Sequence, residues 1–252
     1  MAALLINAPR AMAADAPDDR RSSGETRLVA SERSAPLMEG IAAEAPSGRG
    51  TATFLGGYDG AHETALFRSQ VEVRLISTVS ILGGVTLAPA GGQNTVQPRV
   101  ALKAQLLAQS ERGLDLAVAV GYRKDRYTED EGAMEAVLAA ARTSGRWTTL
   151  GSAGFLSDME GDDRKGDLRL SLLRNTGRSW QLGLGGSGEF DLRSTDRRRG
   201  VRRDPSFEAF AGPLITWNVQ DWVVLAQAGA ATFEADGLHS GVRGMLGATT
   251  AF

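Results

Sequence analysis

From residue 51 to the end of the chain, apolar and polar side chains alternate with a period of two. In Phe67-Arg68-Ser69-Gln70-Val71-Glu72-Val73-Arg74-Leu75 every second residue is polar or charged. Successive side chains of a strand point to opposite faces, so such a segment has one apolar and one polar face. Leu114, Leu116, Val118, Val120 and Tyr122 alternate in the same way with Asp115, Ala117, Ala119, Gly121 and Arg123, and Leu168, Leu170 and Leu172 with Asp167, Arg169 and Ser171. The longest run sets Trp180, Leu182, Leu184, Gly186, Gly188, Phe190 and Leu192 against Gln181, Gly183, Gly185, Ser187, Glu189 and Asp191. The pattern predicts twelve strands, near 51–58, 64–76, 78–88, 97–110, 113–123, 132–142, 145–156, 166–175, 178–192, 205–217, 220–234 and 238–252.

The connections alternate in length. Asp59 to Glu63, Pro89 to Val96, Lys124 to Glu131, Ser157 to Lys165, Arg193 to Asp204 and Ala235 to Gly237 are the long ones; Ser77, Glu111-Arg112, Thr143-Ser144, Thr176-Gly177 and Asn218-Val219 are tight. One end of the sheet therefore carries short turns and the other polar loops, an asymmetry typical of transmembrane barrels. An even strand count brings both termini to the tight-turn end. Trp147, Trp180, Trp217 and Trp222 lie beside short turns, whereas Tyr58, Phe67, Tyr122, Phe155, Phe190, Phe207 and Phe233 lie toward the loops. Two aromatic bands are what two membrane interfaces select.

On these residues, 51–252 resembles a bacterial outer-membrane β-barrel: all-β, antiparallel, up-and-down, with about twelve strands. The terminal residue adds to the resemblance, because Phe252 closes a strand with Thr250, Ala248, Leu246, Gly244 and Val242 on one face. In that superfamily a terminal aromatic is an assembly signal, which implies outer-membrane lipid and the barrel-assembly machinery as partners. Thr250 stands where a Tyr is common, and no motif of a functional subfamily is present.

Two segments resist the pattern. Glu129 to Arg142 (EDEGAMEAVLAAAR) is rich in helix formers, although a strand there preserves the long-short rhythm. Pro213 removes a ladder bond inside a strand that has no free edge, so a bulge is expected at Gly212-Pro213.

The N-terminal fifth reads differently. Ala2 to Ile6 is apolar and Ala11-Met12-Ala13 has the small residues of a signal-peptidase site, so 1–13 reads as the remnant of a secretory signal. Ala14 to Gly50 contains no aromatic residue and three of the eight prolines, which predicts a disordered, flexible linker or tail, with short ordered pieces open around Arg27 to Ala30 or Leu37 to Ala43. The formal charge of -2 gives no pull on nucleic acid, and zero cysteines exclude disulfides and thiolate metal sites. No stretch is long and apolar enough for a membrane-spanning helix.

The polar face of a transmembrane barrel is its lumen. Arg68, Glu72, Arg74, Lys103, Asp115, Arg169, Glu189, Asp191 and Arg243 are therefore the expected lumen residues, with Arg123, Glu135 and Asp167 beside them. Opposite charges interleave on this face, which fits either a polar constriction for small solutes or a structural network filling the lumen. A narrow channel for small polar solutes is thus the expected function, and a packed barrel acting through its loops the alternative. Gly183-Leu184-Gly185-Gly186-Ser187-Gly188 matches a phosphate-loop spacing but lies inside a strand, so it reads as barrel wall.

A lipid hydrolase is a distant third, because His239 and Ser240 are adjacent and point to opposite faces. No catalytic residue, cofactor or metal is expected. Six arginines in Arg193 to Asp204, against acidic loops at 124–131 and 157–165, make lipopolysaccharide a candidate partner.

Overall fold

In a computed structural model, residues 41–46, 48–90, 93–124, 132–159, 164–177, 179–193, 195–196, 201–202, 206–234 and 237–252 are described. The expected signal remnant and most of the expected linker lie outside them.

Twelve strands form one closed antiparallel barrel: β1 (Gly50–Asp59), β2 (Thr64–Ile76), β3 (Val79–Ala90), β4 (Gln93–Leu107), β5 (Asp115–Lys124), β6 (Gly132–Ser144), β7 (Trp147–Asp158), β8 (Arg164–Asn175), β9 (Trp180–Arg193), β12 (Phe207–Val219), β13 (Trp222–Glu234) and β14 (Leu238–Ala251). The loop after β9 carries a two-stranded hairpin, β10 (Thr195–Asp196) with β11 (Val201–Arg202). Each barrel strand pairs with its neighbour along the chain, and β1 closes on β14 from Thr51↔Ala251 to Asp59↔Arg243. Arg49 and Gly50 donate their N–H groups to the Phe252 carbonyl at 2.8 and 3.0 Å, which places the start of β1 and the end of β14 together at the tight-turn end.

Alternation becomes two unlike surfaces. Leu75, Leu102, Val120, Leu138, Leu170, Leu184, Val242 and Leu246 are exposed on the outside, while Leu55, Leu82, Leu150, Leu173, Leu214 and Leu225 are buried inside. An apolar exterior of this extent has hydrocarbon as its natural solvent, and a closed barrel satisfies its backbone there because it has no edge. All four tryptophans face outward at the tight-turn end, and Trp180 stacks on Trp217 with ring centroids 5.0 Å apart. At the other end Tyr58, Phe67, Phe155, Phe190 and Phe207 also face outward. Phe233 departs from that band, because its ring stacks between His62 and His239 at 3.9 and 4.9 Å.

The helix-rich segment is strand β6, with Glu135, Val137, Ala139 and Ala141 buried inside and Met134 and Leu138 outside. Tertiary alternation overrides local propensity here. The bulge expected at Gly212-Pro213 is not there: β12 keeps one register with β13 on both sides of the proline and pairs through it with β9. Pro213 faces outward, and Gly212 and Gly229 let the two strands approach closely where the ladder lacks the proline N–H. Irregularities fall instead at Arg74/Ile76, Gln105/Leu107 and Arg164/Lys165.

Two connections also differ from expectation. The Pro89 to Val96 loop is mostly paired strand out to Ala90↔Gln93. The Glu111-Arg112 turn is a helical turn, α1 (Gln109–Arg112), closed by Gly113 at φ 71.

Candidate functional site: the barrel lumen

Inward-facing residues divide the lumen into two levels. At the tight-turn level the inward walls of β5 and β6 are mostly small side chains, Ala117, Ala119, Ala139 and Ala141, beside Asp115 and Val137, and the facing wall contributes Gly185 and Gly247. Such walls leave an open axis, and the chain itself fills it. Ile41, Ala42 and Ala43 are buried at 3%, 5% and 1% exposure. Ile41 packs with Leu82, Ala101, Ala119 and Val137, and Ala43 belongs to the cluster containing Leu55, Leu150, Leu173, Leu214 and Leu225.

Hydrogen bonds fix this segment. Lys103, 1% exposed, donates to the carbonyls of Glu44 at 2.6 Å and Ala42 at 3.1 Å and pairs with Glu72 at 2.5 Å. An ammonium has three donors, and here each has an acceptor. Glu72 also accepts from Ser80 at 2.5 Å. Gln105 accepts from the Ala45 N–H at 3.3 Å and donates to Asp115 at 3.2 Å, and Asp115 also accepts from the backbone N–H of Gln109 at 2.7 Å. Part of the segment expected to be flexible is thus built into the lumen.

Toward the loops the lumen becomes a charged belt. Arg99 pairs with Glu135 at 2.7 Å, Arg169 with Asp167 at 3.2 Å, and Lys165 with Glu189 at 3.0 Å and Asp191 at 3.9 Å. Arg68 donates to Gln70 at 3.1 Å. Buried Nε atoms of Arg99 and Arg74 and Oε2 of Glu135 have no hydrogen-bond partner among the described residues.

Across the lumen, the β1–β14 seam ends in a second cluster. Arg243 donates to Asp59 through Nε at 3.0 Å and through its terminal nitrogen to both Asp59 and Glu208; its guanidinium also lies over Phe210 at 5.3 Å. His62 Nδ1 lies 2.8 Å from Asp59 and its Nε2 lies 4.0 Å from Glu208.

The ligand atoms of Asp59, His62 and Glu208 lie within 4.8 Å of one another, a spacing a metal ion could bridge. The cation between the two carboxylates is already the Arg243 guanidinium. His239 stacks on Phe233 and Ser240 donates to Thr232, so these two residues form no nucleophile–base pair.

The residues expected to line the lumen fall into three groups rather than one. Lys103, Glu72 and Asp115 hold or support the inner segment, with Arg74 beside them; Arg68, Arg169, Glu189 and Asp191 belong to the belt; Arg243 lies at the seam. Asp59 and Lys165 escaped the sequence reading because they sit at strand ends assigned to loops, and Glu208 and Arg99 because no unusual spacing marks them; His62 lies in the first loop, as its sequence position indicates. The one sequence signal for the inner segment was the apolar run Ile41-Ala42-Ala43 shortly before the first strand. The charged loops expected to meet lipopolysaccharide fall largely outside the described residues.

No known family profile and no curated protein matches the sequence. Among solved structures, the fold is similar to the KdgM porin (TM-score 0.53, 8% identity, 80% of this chain and 99% of that one) and to the NanC porin (TM-score 0.55, 8% identity, 80% and 100%). A weaker likeness is to LpxR from Salmonella typhimurium (TM-score 0.47, 8% identity, 80% and 100%). At these identities the likeness is one of fold: a closed, twelve-stranded antiparallel barrel of the small-porin shape.

Proposed function

We propose that the protein is a narrow conduit for small polar solutes across the outer membrane, closed in the described state by its own residues 41–46. The observation that carries this reading is the mismatch between wall and filling. A barrel built as a solid post fills its axis with wall side chains, whereas here the inward wall of β5 and β6 is largely alanine and a separate stretch of chain occupies the axis. A filling joined to the wall by a few hydrogen bonds is one that can leave. Once it leaves, the path is lined by Arg99, Glu135, Arg169, Asp167, Lys165 and Glu189, whose interleaved signs favour neither cations nor anions strongly.

The alternative, a packed barrel acting through its loops, is favoured by the near-complete burial of Leu82, Leu150, Leu173, Leu214 and Leu225 at 0–2% exposure. Planar-bilayer recording separates the two. The full chain should be silent or nearly so, and a chain lacking residues 14–46 should show small, weakly selective steps. Silence of the shortened barrel, with its strands intact by circular dichroism, would replace the conduit with the packed-lumen reading. We further infer that Phe252 engages the assembly machinery, a reading supported by its place at the barrel seam against Gly50.

A further inference from the structure

Charge is scarce on the outer wall. Among the described residues of the tight-turn half, the outward-facing strand positions carry two charged side chains, Arg142 on β6 and Arg174 on β8, and both are exposed. They flank a single strand, β7. Arg142 pairs with Thr149 and Arg174 with Trp147, so the arginines stand two strands and two residues apart, about 12 Å between Cα atoms at the usual strand spacing and rise. The Arg174 guanidinium lies over the Trp147 ring, 5.7 Å from its centroid, and so reaches toward the strand that separates it from Arg142. Thr149 exposes a hydroxyl between them, and exposed Arg146, in the β6–β7 turn, adds a third cation. No carboxylate among the described residues pairs with any of the three arginines.

Trp147, with the stacked Trp180 and Trp217 on the same side, marks the level at which headgroups meet the wall. A guanidinium at that level faces lipid phosphates, and its planar fork of donors matches two phosphate oxygens. We infer that Arg142, Trp147, Thr149 and Arg174 bind the headgroup of one anionic phospholipid in the leaflet at the tight-turn end, the periplasmic leaflet for barrels of this shape. The two arginines close on its phosphodiester, Trp147 packs against the glycerol and first methylenes, and exposed Leu172 and Leu182, level with Thr149 and Arg174, continue the contact along the acyl chains. Net charge selects the lipid. A zwitterionic headgroup brings its own ammonium to a place already holding three arginines, whereas an anionic one does not, and each basic residue at a bilayer surface favours the anion by about fivefold. The site rests on the membrane setting of the proposed conduit and not on whether the bore conducts.

Trp222 supplies an internal reference, because it lies at the same end of the barrel four strands away from Trp147, with exposed Asp221 beside it and no outward arginine on its own strand. Two full-length chains, one keeping Trp147 and the other Trp222 with the remaining tryptophans replaced by Phe, are folded in phosphatidylcholine bilayers. Each bilayer contains phosphatidylglycerol or phosphatidylethanolamine brominated high on its acyl chains. At Trp147 the quenching should show an apparent affinity for phosphatidylglycerol at least about fivefold above that for phosphatidylethanolamine, with no such preference at Trp222. Arg142→Gln with Arg174→Gln should abolish the preference at Trp147 while the barrel keeps its strands by circular dichroism. Equal affinities at Trp147, a preference as large at Trp222, or a preference that the double variant retains overturns the site and leaves the membrane setting standing. Quenching of neither tryptophan by either lipid overturns both.

Discussion

Replacing Lys103 by Met should loosen the inner segment more than any other single wall substitution. Methionine keeps the length and apolar stem of the side chain and removes all three donors. The two bonds lost to the segment, at 2.6 and 3.1 Å, are charge-assisted and water-excluded, and bonds of that kind contribute about 1.5–3 kcal/mol each. Together they are worth about 3–6 kcal/mol, which at ~1.4 kcal/mol per tenfold raises the open population by roughly 10²- to 10⁴-fold.

The single variant also strands Glu72, whose side chain is 4% exposed, and breaking a buried pair in this way costs about 3–5 kcal/mol of barrel stability. Lys103→Met with Glu72→Gln removes that charge, so its effect falls mainly on the segment. The assay is the frequency of conductance steps in planar bilayers, with the chain lacking residues 14–46 as the open reference. The double variant should open at least tenfold more often than the unmodified protein. If it stays as silent as the unmodified barrel while the reference conducts, Lys103 does not latch the segment and the reasoning fails.

Other perturbations test the frame and the seam. Gly183→Ala would drive a methyl into the Leu172 carbonyl and should lower the temperature at which the barrel loses its compact gel mobility, whereas Gly56→Ala, with open space around it, should not. Arg243→Gln leaves the buried Asp59 without its strongest partner, so a loss of about 3–5 kcal/mol is expected in denaturant titration, and Asp59→Asn in the same chain should restore part of it. Trp147, Trp180, Trp217 and Trp222 should all be quenched by one shallow brominated lipid and only weakly by one brominated near the bilayer centre; deep quenching of two of them would contradict the strand ends given above.

The barrel was legible because each strand has to satisfy lipid on one side and a crowded lumen on the other, and that requirement writes a period of two into the sequence. It overrode helix propensity in β6 and tolerated Pro213 without a bulge, because an outward-facing proline beside the Gly212–Gly229 approach leaves the register unchanged. The inner segment was much less legible. Its stability comes from backbone carbonyls taken by Lys103 and from small residues fitting a bore whose wall residues lie far apart in the sequence and in no pattern of their own. An aromatic-free stretch read in isolation has too little apolar surface to order itself, and only the barrel supplies the rest. The seam cluster was hidden for a similar reason, since Asp59 and Arg243 meet only when the first and last strands close.

The claim that the chain stoppers its own barrel rests on where Ala43 lies. A single Ala43→Cys variant of the full chain, folded in lipid, should resist a small hydrophilic methanethiosulfonate reagent supplied on both sides, reacting at least about a hundredfold more slowly than Arg49→Cys at the exposed rim, and should become equally reactive once the barrel is unfolded. Equal rates at the two positions in the folded protein would put the segment outside the lumen and contradict the account.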